Sequence, residues 1–386
     1  MINFKKSFRK ILSRTLSLLN YFIPKTKNRI FFKSKPDYSG NCKALSDYII
    51  ENNLPYQIVW SLKKAIKQPN FTKVTTGTLK EYYYYFTSKY IITTHNEMIG
   101  PVARNQRYIS LWHGMPFKKI CYLGENDHQG MIDFSATRIA TSEVMRSIIS
   151  ASFREKANNV YITGQPRNDF LFKPIDLADV GIESCKDKNI IMLAPTFRMN
   201  NEDKRYSDGA EITDNNFLRV NDFSLEEIDT YLEKTKTHLI LKLHPYEEEY
   251  FRGIATLSSN ITIISSEELT QKNIDLNQLL SLVDILITDY SSIYLDYLIL
   301  NKPLIFLVPD VDAYSSSRGG FTLEPFDFWT PGDKVNSQKT LLDSVDKIIS
   351  GKDEYIERRS QVNSIINKYN DANSSQRVVE LMKSLS

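Results

Sequence analysis

The stretch Asp284-Ile-Leu-Ile-Thr-Asp-Tyr-Ser-Ser-Ile-Tyr-Leu-Asp296 decides the fold. Its apolar run Ile285 to Ile287 predicts a buried strand, and Thr288, Asp289, Tyr290, Ser291 and Ser292 predict a polar turn. Ser291 or Ser292 is then expected to cap a helix whose free backbone N–H groups leave the carboxyl end of a sheet, where they suit a phosphate. Taken alone, the stretch also reads as an ordinary strand-to-helix connection with a good cap.

Working outward, the same alternation recurs on both sides. Apolar runs at Ile190 to Ala194, His238 to Leu243, Ile261 to Ile264 and Pro303 to Val308 surround the stretch in one series. An earlier series holds Arg29 to Phe32, Gln57 to Trp60, Tyr90 to Thr93, Tyr108 to Trp112, Arg138 to Ala140 and Asn158 to Ile162, with helical segments at Cys42 to Glu51 and Lys80 to Phe86. Strands alternating with helices predict parallel, doubly wound α/β sheets. The 386 residues exceed the roughly 250 to 300 that one core supports, so two domains are expected. The polar, irregular run Lys173 to Lys188 is the linker between them. The resulting division is 1–28, 29–172, 189–352 and a helical tail at 353–386. Met199 to Phe223 carries few apolar residues and is expected to be an exposed insertion.

Composition narrows the function classes. At 41% hydrophobic and 25% charged, the chain is that of a folded soluble protein. Its three scattered cysteines suggest neither a disulfide framework nor a zinc site, and a reducing cytoplasm is the expected home. The net charge of +3 is unevenly spread, for no acidic residue precedes Asp37 whereas ten lysines and arginines do. Within that stretch Phe4, Phe8, Ile11, Leu12, Leu19, Phe22 and Ile23 approximate one face of a helix that Pro24 ends. The run is too short and too charged to span a bilayer. It reads either as a basic amphipathic helix on an anionic membrane surface or as a helix packed on its own domain.

In open α/β sheets ligands bind beyond the carboxyl ends of the strands, so polar residues after apolar runs are the candidates. His113 and Gly114, with Lys118 and Lys119 behind them, follow one strand; Arg167 and Asn168 follow another. Pro195-Thr-Phe-Arg198, His244-Pro245 and Asp289-Tyr-Ser-Ser292 follow strands of the second series. The set offers imidazoles, guanidiniums, hydroxyls and helix starts without a cysteine nucleophile or metal cluster, an inventory that suits binding a pyrophosphate and moving a proton from an attacking hydroxyl. Neither a Walker pattern nor a Gly-x-Gly-x-x-Gly fingerprint is present. Asp310-Val-Asp312 is read as a loop feature rather than a metal site, because its neighbours offer no further ligands.

These residues also carry a likeness. Ser34 to Leu45, Trp112-His-Gly-Met-Pro-Phe-Lys-Lys-Ile120, Gly164-Gln-Pro-Arg-Asn-Asp169, Ala194-Pro-Thr-Phe-Arg198, Leu243-His-Pro245, Asp284 to Pro303, Arg318-Gly319, Pro331-Gly332 and Lys368-Tyr-Asn-Asp371 stand in one order. In that order they resemble the CDP-glycerol glycerophosphotransferases of teichoic acid and capsule synthesis. The resemblance implies a GT-B-like architecture, two doubly wound domains facing a cleft, the second holding the nucleotide donor and the first the acceptor. Arg198, His244, Ser291 and Ser292 follow three strands of one sheet and so are expected to converge on the donor pyrophosphate, with Thr288, Asp289, Asp296 and Arg318 on the same donor side; Gly114, Lys118, Arg167 and Asn168 are expected at the acceptor or the cleft. His113 is then the expected base, and His244 the residue serving the leaving pyrophosphate.

The implied partners are CDP-glycerol, a polyprenyl-diphosphate-linked saccharide and an anionic membrane surface at the cytoplasmic face, and not nucleic acid. No tightly bound cofactor is expected, with Mg2+ an option on the donor pyrophosphate. Met115, Phe117 and Gly40 depart from the residues usual in the pattern, which leaves CDP-ribitol open as donor. A sugar transferase on the same architecture and an inactive membrane-surface scaffold are the other readings.

Overall fold

A computed structural model describes residues 2–385 apart from 65, 67–70, 125–127, 129–130, 197–215, 249, 252, 254–257, 312–313 and 315–318. The chain forms two compact units, one of residues 1–116, 120–172 and 366–386 and one of residues 117–119 and 173–365.

The first unit opens with helix α1 (Ile2–Tyr21) and builds strands β1 (Thr26–Lys33), β2 (Gln57–Leu62), β3 (Thr72–Thr75), β4 (Ser88–Thr93), β5 (Arg107–Ser110), β6 (Thr137–Ala140) and β7 (Val160–Ile162). Helices α2 (Gly40–Glu51), α3 (Leu79–Thr87) and α4 (Glu143–Phe153) connect them. All seven strands pair in parallel in the order β3-β2-β1-β4-β5-β6-β7. A sheet covered on both faces needs strands that are apolar throughout, and β1 supplies Ile30, Phe31 and Phe32 in succession. Ile30 and Phe32 face the core under α2, while Phe31 faces the core under α3, where Tyr85 is buried.

The second unit holds β8 (Asn189–Ala194), β9 (Thr237–Leu241), β10 (Ile261–Ile263), β11 (Ile285–Thr288), β12 (Leu304–Leu307) and β13 (Asp333–Val335). Their order is β10-β9-β8-β11-β12-β13, again parallel. The helices are α5 (Leu225–Lys234), α6 (Pro245–Glu248), α7 (Ser266–Gln271), α8 (Leu276–Leu282), α9 (Ile293–Tyr297), α10 (Phe326–Trp329), α11 (Gln338–Ile349) and α12 (Ile356–Ile366). In each sheet the strand order reverses direction beside the first strand, at β1/β4 and at β8/β11, which is where ligands of such sheets are held.

Three expectations need correction. The 353–386 tail does not form one piece: from Ile366 the chain belongs to the first unit, where α13 (Ser374–Ser384) packs Val378, Val379, Leu381 and Met382 on the same core as α2. The expected insertion 199–223 lies outside the described residues up to 215, but Phe217, Leu218 and Val220 are buried in the second core. Those three apolar residues were hidden among polar neighbours. Short strands β3 and β13 escaped notice because four and three residues carry too little pattern.

The Gly-Gln-Pro-Arg-Asn-Asp segment has a structural task that its sequence did not announce. Buried Asp169 accepts the backbone N–H groups of Ser374 and Ser375, both at 2.8 Å, and so caps α13. Replacing Asp169 by Ala strands two buried donors, and we expect urea denaturation to report a loss of about 2–3 kcal/mol. A change within about 0.5 kcal/mol would show that the cap is dispensable.

Candidate functional site

In the first unit the candidate residues meet beyond the ends of β4, β5 and β7. One buried side chain organises them. Asn41, at the start of α2, donates to the carbonyls of Leu111 (3.1 Å) and Trp112 (2.9 Å) and accepts the backbone N–H of Arg167 (3.0 Å). Arg167 in turn donates to the carbonyl of His113 at 2.6 Å. The loop needs this support, since Trp112 has φ +53°, a left-handed conformation unfavourable for a bulky residue, and Gly114 has φ +149°.

His113 lies between these restraints. Its Nδ1 is 3.4 Å from the Thr94 carbonyl, which can only accept, so Nδ1 carries the proton and Nε2 is the basic nitrogen. The His95 ring stacks on it with centroids 4.0 Å apart and planes 5° from parallel. His113 is exposed to solvent as a residue, yet protein packs densely around it. This desolvation, then His95 and Arg167, hold its pKa well below the usual imidazole range, opposed in part by the Thr94 bond. His113 is therefore a free base at neutral pH.

Two expected neighbours are elsewhere. Asn168 is buried beneath the loop rather than open to a substrate. Lys118 belongs to the second unit, where residues 117–119 pair with the segment at Phe321 and the Lys118 ammonium lies 5.8 Å from the Tyr314 ring centre. Phe117 draws the segment there, fully buried against Phe321 and Tyr294.

In the second unit Asp289 occupies the β8/β11 reversal. One carboxylate oxygen accepts the backbone N–H and the hydroxyl of Thr196, both at 2.8 Å, and the backbone N–H of Tyr290 at 2.6 Å. The Thr288 hydroxyl donates to the carbonyl of Ala194 at 2.7 Å, a second tie across the two strands. Beside them opens a cavity of about 360 Å³ whose polar lining is Arg219, Asn221, Thr288, Asp289, Asp310 and Asn336. Its volume falls in the range of small-molecule sites. The Tyr290 hydroxyl donates to Asp310 at 2.8 Å, and the Tyr290 ring stacks on Tyr314 at 4.1 Å.

His244 stands three residues past β9, at the start of α6, and does not line this cavity. Its carbonyl accepts from Glu247 and Glu248, and the turn is braced twice. Arg219 holds both carboxylate oxygens of fully buried Glu247 at 2.9 and 2.8 Å, and Lys242 holds Glu248 at 2.8 Å.

The expected serine cap is not built as foreseen. Ser292 is the N-cap residue, but it is helical itself (φ −71°, ψ 0°) and makes no side-chain cap bond; Ser291 only reaches the Ile293 N–H at 3.5 Å. A cap requires extended backbone to aim its oxygen, and the Asp289 turn leaves none here. With α9 only five residues long, its dipole is small, and Asp296 is buried within it. Arg198, Arg318 and Asp312 lie outside the described residues. Among the described residues no cluster of three metal-ligating side chains occurs.

Sequence reading missed Asn41, Arg219, Asn221 and Asn336. Asn41 stood within Ser34 to Leu45 without a role, whereas Arg219 gave no signal inside its polar run. Removing Arg219 leaves Glu247 as an uncompensated buried charge. Arg219→Met is expected to cost the protein about 3–5 kcal/mol in chemical denaturation, with much of it recovered in Arg219→Met/Glu247→Leu. Equal losses in the single and double variants would contradict a charge-pairing role.

The chain is similar to known proteins over nearly its whole length. Residues 15–384 match the family described as CDP-Glycerol:Poly(glycerophosphate) glycerophosphotransferase. A teichoic acid glycerol-phosphate transferase of Staphylococcus aureus is 27% identical over 97% of this chain and 98% of its own. A teichoic acid poly(ribitol-phosphate) polymerase of Bacillus spizizenii is 28% identical over 93% of this chain and 56% of its own. The wall teichoic acid polymerase TagF has the same GT-B-like fold, with a TM-score of 0.77 at 21% identity over 100% of this chain and 98% of that one, and another TagF structure followed a soak with CDPG. The chain is thus a member of the CDP-glycerol:poly(glycerophosphate) glycerophosphotransferase family, whose relatives transfer or polymerise the polyol phosphates of teichoic acids.

Proposed function

We propose that the protein transfers glycerol phosphate from CDP-glycerol to a hydroxyl of a polyprenyl-diphosphate-linked saccharide, releasing CMP, at the cytoplasmic face of the membrane. The acceptor oxygen bonds to the β-phosphorus, the bond from that phosphorus to the bridging oxygen breaks, and CMP departs with the electron pair. The acceptor proton goes to Nε2 of His113. In a loose transition state the base acts late, and His113 also orients the hydroxyl.

The observation that carries this reading is the placement of His113 at a strand end with Nδ1 3.4 Å from the Thr94 carbonyl, which leaves Nε2 for a substrate proton, in surroundings that lower its pKa. The cavity at the β8/β11 reversal supports a donor site in the second unit, in the part of the fold where nucleotides are held. CDPG soaked into TagF supports the same donor class. Within this reading Thr288, Asp289, Ser291, Ser292, Asp296, Arg198 and Arg318 form the donor side, and His244 steadies the leaving pyrophosphate. Any Mg2+ accompanies that pyrophosphate. Gly114 and Arg167 shape the acceptor side. The match to a ribitol-phosphate polymerase makes CDP-ribitol the second reading.

Membrane attachment is part of the proposal. Among the described residues no helix is long and apolar enough to cross a bilayer. Helix α1 instead docks through its polar side: the Ser17 hydroxyl donates to the Val102 carbonyl at 2.6 Å, and Asn20, 1% exposed, donates to Pro101 and Gln106. Ile11, Leu12, Leu18, Leu19 and Phe22 are left exposed on the other side, beside cationic Lys10 and Arg14. Such a surface fits the boundary of an anionic bilayer.

Two measurements test these statements. His113→Ala is expected to lower turnover by roughly 10²- to 10⁴-fold while CDP-glycerol still binds in calorimetry. Near-normal turnover in the folded variant removes His113 from the chemistry, and a product panel with CDP-ribitol fixes the donor. Leu18→Asp/Phe22→Asp is expected to leave the protein in the supernatant after sedimentation with anionic vesicles, with turnover of a soluble acceptor unchanged. Full pelleting at physiological salt would place the attachment elsewhere.

A further inference from the structure

The imidazole stacked on His113 has no part in the reaction so far. His95 follows β4, the strand next to the one that precedes His113, and the two rings lie face to face, 4.0 Å apart and 5° from parallel. That geometry excludes direct proton exchange, which needs a nitrogen in the plane of the other ring. It suits restraint, because a parallel ring blocks rotation of its neighbour.

His95 is itself held in place. Its Nδ1 lies 2.9 Å from the Thr94 hydroxyl, which also accepts the Lys35 backbone N–H at 3.2 Å, and 3.9 Å from a Glu97 carboxylate oxygen. Its backbone N–H is held by a Glu97 carboxylate oxygen at 2.7 Å. Thr94 therefore touches both rings, its carbonyl at Nδ1 of His113 and its hydroxyl at Nδ1 of His95.

Resting on the assignment of His113 as base, we propose that His95 is a positioning residue that packs flat on His113, fixing the plane of the base so that Nε2 faces the acceptor hydroxyl. It also keeps the pair to one charge at most, since an imidazolium on either ring opposes a proton on the other. The charged groups around the pair are Lys33 and Lys35 from the end of β1, Glu97 beside His95, Arg138 on β6, bonded to Asn96, and Arg167 beyond β7. Desolvation lowers the His95 pKa to about 4, and Lys35 adds to the effect; His113 is lowered as described above.

Both rings titrate below an unfolded imidazole, so the sign is fixed. Protons bind the unfolded chain first as pH falls below about 6.5, and the stability contributed by the neutral pair is full above that value and lost on the way down. Catalysis follows the same direction: the free base persists well below pH 6.5, and the acid limb of kcat/KM lies there too.

The test compares His95→Ala, which removes the ring, with His95→Phe, which keeps a flat ring without a nitrogen. In His95→Ala kcat is expected to fall about tenfold or more at unchanged KM for CDP-glycerol, with the acid limb moving up toward pH 6.5. In His95→Phe kcat is expected within about threefold of the parent. NMR of the His113 Cε1–H, read in the full chain, should show the titration rise in His95→Ala. An unchanged kcat and unchanged titration in His95→Ala overturn the proposal, as does a His95→Phe protein as impaired as His95→Ala. Failure of the base assignment is separate: His113→Ala would then turn over normally, while the NMR titration of His113 still reports whether His95 governs the ring.

Discussion

A buried carboxylate at the point where the second sheet reverses is the constraint on which the rest of that unit depends. Removing Asp289 from water is costly unless its oxygens find donors, and three converge on one of them, two from Thr196 beyond β8 and one from Tyr290 beyond β11. The bonds join the ends of the two strands between which a ligand must lie. They also orient Tyr290, whose hydroxyl reaches Asp310 beyond β12 and whose ring lies on Tyr314. Order at three strand ends thus follows from one buried carboxyl group beside the cavity.

The first unit solves the equivalent problem with an amide. Asn41 both donates and accepts, so it ties the loops after β5 and β7 without bringing charge. An aspartate there would have no donor for the Leu111 and Trp112 carbonyls, and its charge would raise the pKa of nearby His113. With neutral Asn41 in the loop's support, His95 at the face and Arg167 at the backbone carbonyl, the balance favours the free base, against the Thr94 carbonyl that favours the proton.

The alternating architecture was legible because parallel strands buried on both faces are short, dense apolar runs, as in β8 and β11, and because the polar residues after them mark the carboxyl edges. That rule singled out His113, Thr288 and Asp289, which the structure places at strand ends. What failed were inferences about where side chains go. Ser292 follows a strand as a cap should, yet the Asp289 turn takes its backbone out of the capping conformation. Lys118 adjoins His113 in sequence, but buried Phe117 carries it into the other unit. The capping role of Asp169 gave no sign in the sequence because its partners lie more than 200 residues away. Arg219 was invisible for a similar reason, since only the fold brings Glu247 to it.

Helix α1 poses the remaining physical question, for it buries the wrong side. A helix stabilised only by its own domain would place Leu18, Leu19 and Phe22 inward, and burying each half-exposed apolar side chain is worth roughly 1 kcal/mol or more. The chain instead buries Asn20 and half-buries Ser17, and satisfies them with the carbonyls of Val102 and Pro101 and the Gln106 side chain. Lys25 completes the joint by donating to Asn20 and to the Phe86 carbonyl at the end of α3. Hydrogen bonds of this kind fix an orientation more sharply than apolar packing does, because they fail when the helix rolls. A helix held by directional bonds on one side, with several leucine-sized side chains open on the other, carries its apolar stripe as a rigid feature of the unit. On the proposed bilayer surface that rigidity would set the height of the β5 strand end, and with it His113, relative to a lipid-linked acceptor, something a flexibly tethered anchor could not do.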